Sequence, residues 1–214
     1  MTSNERFQTK KQLVQRLQEG IAFDDGEDYS PDEFMKMSNK FSMSWRDKRY
    51  PNDGDCNSKA DGNNDNKKKM TYHNLEQDYW NLVETNVEEV EVEYGNDIDT
   101  AAYWSGFPLS ERGRCTTVKK KSKVKNIIGI DTDDEPKFGT EEYYKESWWN
   151  VNNIANSPGT ALSKMKVGIN GINVPWLYFG SLFTTFCWHN EDNYLYSINY
   201  HHKGAPKMWY GEYS

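Results

Sequence analysis

His189 and Glu191 stand two apart in the run Phe186-Cys187-Trp188-His189-Asn190-Glu191-Asp192. An imidazole and a carboxylate at that spacing can serve one ion, because side chains two apart on an extended strand point to the same side. The pair suits non-haem ferrous iron, which is held by two histidines and one carboxylate on one face while the other positions stay open. By itself the triplet is common, and most such histidines are hydrogen-bonded structural groups, so the surrounding residues must decide. Ser197 and Asn199, again two apart, and then Lys207 follow it.

The flanks are specific. Val174-Pro175-Trp176-Leu177-Tyr178 leads in, and Tyr196-Ser197-Ile198-Asn199-Tyr200 and Gly204-Ala205-Pro206-Lys207-Met208-Trp209-Tyr210-Gly211 lead out. The whole stretch resembles the Jumonji C (JmjC) domain, with the nearest likeness to the JARID group of histone lysine demethylases. Thinner blocks continue the likeness upstream in the same order: Phe23 to Phe41, Tyr79 to Val83, Val92 to Ile98, Ser105 to Pro108 and Trp149 to Asn153.

The resemblance implies an α+β fold, mainly β with flanking helices, built on the cupin-like double-stranded β-helix or jelly roll. It implies Fe(II) on His189 and Glu191, and 2-oxoglutarate beside Tyr94, Phe186, Ser197, Asn199, Lys207 and Trp209. In that arrangement Lys207 meets the distal carboxylate through a charge-assisted hydrogen bond. Tyr178, Trp149, Asn150 and Asn152 fall at positions near a methyl-lysine entrance, where tyrosine edges and carbonyl oxygens can hold a methylated ammonium. The implied reaction hydroxylates an N-methyl group, which leaves as formaldehyde. The expected partners are the methylated histone H3 tail, at di- or trimethylated lysine 4, and chromatin, in the nucleus.

The family's second histidine belongs on a later strand, so the catalytic domain is expected to be truncated after Ser214. His73, His201 and His202 do not stand at that position, although His201 shares strand parity with Ser197 and Asn199. Two other readings remain open beside the demethylase. One is a non-catalytic chromatin-binding or assembly module, and the other is a protein hydroxylase.

The elements that must position these residues can be read from hydrophobic spacing. Leu13, Val14 and Leu17 fall at helical intervals, so a helical arm is expected over residues 1–22, ahead of a catalytic domain over 23–214. Leu75, Tyr79, Leu82 and Val83 share one face of a helix over Asn74 to Val87. Val90, Val92 and Tyr94 alternate with glutamates, which predicts a strand with Tyr94 facing inward. From Ile172 onward, β-branched and aromatic residues broken by Gly, Asn and Pro predict short antiparallel strands.

Two polar insertions interrupt the pattern, at 52–69 and 112–140. The first has almost no apolar residue and reads as a disordered loop. The second carries Lys119-Lys120-Lys121-Ser122-Lys123-Val124-Lys125 before Asp131, Asp133, Asp134 and Glu135, which suits either a solvated loop or a nuclear import signal.

With 214 residues, 36% hydrophobic, the chain is long enough for one domain with a sizeable core. Its net charge of −7 gives no sign of a nucleic-acid backbone binder and suits a basic peptide. Cys56, Cys115 and Cys187 are isolated, which supports neither a disulfide framework nor a structural zinc site, and Cys187 is expected to be a small buried hydrophobe. No apolar run approaches the roughly 20 residues that a membrane-spanning helix needs.

Overall fold

Alternation of apolar and polar residues builds a four-stranded antiparallel sheet from segments far apart in the sequence. Its strands are β1 (Phe7–Leu13), β2 (Phe23–Tyr29), β3 (Glu91–Asp99) and β4 (Trp176–Gly180), in the order β2-β1-β3-β4. The computed structural model describes residues 5–15, 23–51, 69–85, 87–103, 105–109 and 137–211. Around the sheet lie α1 (Pro31–Arg49), α2 (Tyr72–Thr85) and the short α3 (Thr100–Tyr103) and α4 (Glu141–Glu146). An antiparallel sheet with flanking helices is the α+β, jelly-roll class of architecture expected from the sequence. The chain divides into two units, residues 1–184 and 185–214.

β1 corrects the expected helical arm. Phe7–Leu13 is an inner strand with ladder partners on both sides: Lys10 pairs with Asp25 of β2 and with Tyr94 of β3. Pairing with β2 from Phe7 to Gln12 and with β3 from Lys10 to Leu13 overrides a weak helical spacing. Phe7 and Thr9 on one side and Gln12 on the other are all buried.

α1 begins with reciprocal capping. The Ser30 hydroxyl accepts from the Glu33 backbone N–H, and the Glu33 carboxylate accepts from the Ser30 N–H at 2.8 Å, with Pro31 in the first turn. Arg6 adds an ion pair to Glu33 at 2.6 Å. These donors hold the Glu33 carboxyl well below the usual range, at about 2, with the Ser30 backbone bond contributing most. Phe34 then packs with Phe7 and Ile98 in one apolar cluster, joined by Tyr29, Leu177 and Phe179. Burial of each such ring is worth about 1.5–3 kcal/mol.

A second cluster gathers Val14, Trp45, Tyr50, Leu82, Val83, Val90, Val92 and Phe183. It confirms the apolar face expected for α2, with Leu82 and Val83 buried and Leu75 and Tyr79 packed against it. The strand expected from the Val90, Val92 and Tyr94 alternation is also present, although it starts at Glu91 and runs on to Asp99.

β3 carries a bulge next to Tyr94. The register advances from Gly95 to Ile98 on β3 while β4 moves only from Phe179 to Leu177. The extra residue switches the alternation, so Gly95 and Ile98 share a face. A side chain at Gly95 would sit 2.8 Å from the Phe7 ring and 3.0 Å from Ile98. Tyr94, on the opposite face from Gly95, stacks on Tyr178 with ring centroids 6.1 Å apart.

The strands expected after β4 are not seen among the described residues. Residues 185–211 run extended without a ladder, and a single 3-10 turn at Asp192–Tyr194 breaks the run just after Glu191. Extended residues become a strand only where a neighbour supplies hydrogen bonds. The lysine-rich and acidic runs, Cys56 and Cys115 lie outside the described residues, as does nearly all of the 52–69 insertion. The last residues of 112–140 are described, and there Thr140 caps α4 through the Tyr143 N–H. No described helix is long and apolar enough to cross a membrane.

Candidate functional site

His189 and Glu191 come together without a strand. Extended backbone at Glu191 (φ −69°, ψ 153°) brings its Oε1 to 3.6 Å from His189 Nε2. An ion with bonds of about 2.1 Å to each donor spans such a gap. His189 Nδ1 lies 2.9 Å from the Cys187 carbonyl oxygen. That oxygen can only accept, so the imidazole proton sits on Nδ1 and the Nε2 lone pair faces Glu191. This is the orientation a metal-binding histidine takes from an outer carbonyl partner. Cys187 is exposed, which corrects the expected buried hydrophobe, and its backbone rather than its thiol serves the site.

Aromatic rings surround the pair within the 185–214 unit. Phe186 meets the His189 imidazole edge to face at 5.2 Å and Trp209 at 6.2 Å. Lys207 Nζ lies 5.8 Å from the Phe186 ring centre and donates to Asn199 Oδ1 at 3.2 Å. Burial pushes the Lys207 ammonium below its ordinary value. Trp188, which the sequence reading passed over, ties this cluster together: its indole N–H donates to the Tyr210 carbonyl at 2.5 Å, and its ring lies 4.8 Å from Trp209. Ser197 is exposed and makes none of these contacts.

The structure thus joins Phe186, His189, Glu191, Asn199, Lys207 and Trp209. Among the described residues no third His, Cys, Asp or Glu completes a metal cluster with them. His201 in particular points Nε2 at the Lys203 carbonyl oxygen, 2.9 Å away, which makes that nitrogen a donor. The donor set present, one neutral imidazole and one carboxylate, fits two positions of a ferrous site.

A second group lies in the 1–184 unit. Tyr94 is buried on β3, and its phenol is held protonated by burial and by the negative charge of Asp97. Its stacking partner Tyr178 donates its hydroxyl to Asp97 Oδ1 at 3.0 Å.

The Trp149 to Asn153 block divides by burial. Trp149 is 78% exposed and available for contact. Asn150 corrects the expectation of a substrate contact: it is buried, and its amide N–H groups go to the carbonyl oxygens of Pro108 and Tyr144 at 2.8 and 3.0 Å. Its Oδ1 accepts from the Asn152 N–H at 3.0 Å, while the Asn152 amide reaches the Phe107 carbonyl at 3.5 Å. Both asparagines therefore serve to hold the loop. Asn153 does the same for the Lys145 and Ser147 carbonyls at 2.8 and 2.9 Å.

Residues 176–214 match the family described as JmjC domain, hydroxylase. The chain is 34% identical over 198 residues to Lysine-specific demethylase JMJ703 of Oryza sativa subsp. japonica, a match covering 92% of this chain and 13% of that protein. It is 35% identical over 193 residues to Putative lysine-specific demethylase JMJ16 of Arabidopsis thaliana, covering 90% of this chain and 14% of the relative. With Lysine-specific demethylase JMJ17 of the same plant it shares 43% identity over 137 residues, 64% of this chain and 10% of the relative. The chain thus spans between a tenth and a seventh of the length of these curated relatives. The segment that holds His189 and Glu191 therefore belongs to the JmjC family of hydroxylase domains.

Proposed function

We propose that this chain belongs to the catalytic domain of an Fe(II)- and 2-oxoglutarate-dependent histone lysine demethylase. The single observation that carries this reading is the His189 and Glu191 pair, with donors 3.6 Å apart and the imidazole tautomer set by the Cys187 carbonyl. The names of the relatives favour lysine demethylation over the hydroxylase and non-catalytic alternatives. The JARID-like motifs favour di- or trimethylated lysine 4 of the histone H3 tail as substrate, and with it a role on chromatin in the nucleus.

Ferrous iron with 2-oxoglutarate and oxygen supplies the oxidation of an N-methyl group when bound. His189 Nε2 and Glu191 Oε1 hold the metal, and the Cys187 carbonyl keeps the imidazole ring and tautomer in place. Lys207 supplies a cation for the distal carboxylate of 2-oxoglutarate, oriented by Asn199. Phe186 and Trp209 offer apolar walls against the cosubstrate chain, and Trp188 holds the Lys207 to Tyr210 segment beside them. The family resemblance, rather than any observed contact, gives Tyr94 and Ser197 as further hydroxyl donors to 2-oxoglutarate. Tyr178 presents its ring to the methylated ammonium, with Trp149 exposed for peptide contact.

Anaerobic titration of the full chain with Fe(II) and 2-oxoglutarate tests this reading, followed by formaldehyde assay on histone H3 peptides trimethylated at lysine 4. A metal-to-ligand charge-transfer band with formaldehyde release is expected. Absence of both at excess Fe(II) would sink the proposal, and release from peptides methylated elsewhere but not at lysine 4 would reassign the substrate.

A further inference from the structure

Asp97 occupies a conformation that few side chains adopt. Its φ is +52°, in the left-handed region where glycine is at no disadvantage and aspartate is only tolerated. It sits in the β3 bulge, within the Gly95 to Ile98 step where the register shifts. A glycine would make this bulge at lower backbone cost, whereas the aspartate brings a carboxylate with two partners. Its Oδ1 accepts the Tyr178 hydroxyl at 3.0 Å across the β3 and β4 pair, and its Oδ2 accepts from the Asn96 amide at 2.9 Å.

These contacts fix one ring at several points. Tyr178 is anchored at its base by β4, whose neighbours Leu177 and Phe179 turn into the apolar cluster on the other face. Its ring stacks on Tyr94 at 23° between planes, and its tip is tied to Asp97. A carboxylate beside stacked aromatic rings also gives this edge a field that favours a cation.

We propose that Asp97 is a positioning residue that fixes the Tyr178 ring for contact with the methylated ammonium of the substrate. The role of Tyr178 here rests on the demethylase reading above. The bulge puts the carboxylate on the same side of the sheet as Tyr94 and Tyr178, so the geometry of recognition depends on one strained residue.

The test compares Asp97→Gly, Asp97→Asn, Tyr178→Phe and the Asp97→Gly/Tyr178→Phe double variant for peptide kinetics, 2-oxoglutarate binding and the Tyr178 ring-flip rate by NMR. Asp97→Gly, which fits the left-handed backbone, is expected to leave thermal stability and 2-oxoglutarate affinity in place. It should raise KM for methylated peptide about five- to tenfold with little change in kcat, and speed the ring flip. Asp97→Asn keeps an acceptor oxygen and tolerates the same φ, so it should restore most of both. In the Tyr178→Phe background, Asp97→Gly should add almost nothing. An unchanged KM and ring-flip rate in Asp97→Gly, or an effect additive with Tyr178→Phe, overturns the positioning role. If the wild-type chain shows no turnover, the demethylase reading fails and takes the substrate role of Tyr178 with it. The ring-flip comparison alone then decides whether Asp97 fixes Tyr178.

Discussion

The Trp45 indole N–H of α1 donates to Asp78 Oδ2 of α2 at 3.0 Å, and the Tyr50 hydroxyl at the end of α1 donates to the same oxygen at 2.5 Å. All three residues are buried, and burial together with Asp78 pushes the Tyr50 phenol upward. One carboxylate therefore fastens the two long helices beneath the apolar cluster of Val14, Val92 and Phe183. Asp78→Ala strands two buried donors and is expected to destabilise the fold by about 2–4 kcal/mol. Asp78→Asn keeps an acceptor and should lose less. Urea unfolding followed by tryptophan fluorescence measures both, and an unchanged midpoint for Asp78→Ala would show that the clasp carries no stability.

Acid should loosen the start of α1. Glu33 titrates at about 2 in the folded chain against an ordinary 4.5, because the Ser30 backbone and Arg6 favour its charged form. A depressed carboxyl stabilises the folded state fully above the unfolded value, and that contribution is lost as pH falls from about 4.5 towards 2. Glu33→Gln removes this dependence, so its melting temperature should fall less steeply than the wild type over that window. Parallel acid limbs for the two proteins would contradict the assignment.

What the sequence revealed depended on how local each cause was. The helix at α2 and the alternation at Val90, Val92 and Tyr94 follow from spacing within a few residues, and both appear in the structure. The start of α1 is equally local, with its capping signature in Ser30-Pro31-Asp32-Glu33. β1 was misread because its identity comes from two partner strands, one of them more than seventy residues away. The His189 and Glu191 pair was found by residue type, yet it converges through extended backbone and a carbonyl contact, without the strand that parity assumed. Asn150 and Trp188 were not readable at all as holders of loops, since their partners are the carbonyls of Pro108, Tyr144 and Tyr210 and backbone acceptors leave no mark in a sequence.

Metal affinity should follow the two donors and the tautomer. Glu191→Ala and His189→Ala each remove one of a pair of ligands, so Fe(II) affinity is expected to fall by at least tenfold in either, beyond what loss of an outer partner costs. Nitrogen-15 NMR of the metal-free chain should show the His189 proton on Nδ1, as the Cys187 carbonyl requires. A proton on Nε2 would mean that the lone pair is turned away from Glu191, and the site as described would not bind metal in this form.

On the proposed function, Lys207 should tie 2-oxoglutarate binding to pH. Its ammonium donates to Asn199 and lies over the Phe186 ring, in surroundings that lower its proton affinity. The cation is therefore present at neutral pH and lost, as pH rises, earlier than an ordinary lysine near 10.5. Since a dicarboxylate needs that charge, 2-oxoglutarate affinity should decline on the alkaline side before a free lysine would titrate. Lys207→Met should weaken 2-oxoglutarate binding about tenfold or more, the order of one charge-assisted hydrogen bond, while leaving Fe(II) affinity alone. Lys207→Arg keeps its charge at every accessible pH, so it should move the alkaline decline upward even if its bulk reduces affinity at neutral pH. Isothermal titration across pH separates the two effects, and an alkaline limb that stays put in Lys207→Arg would assign the decline to another group.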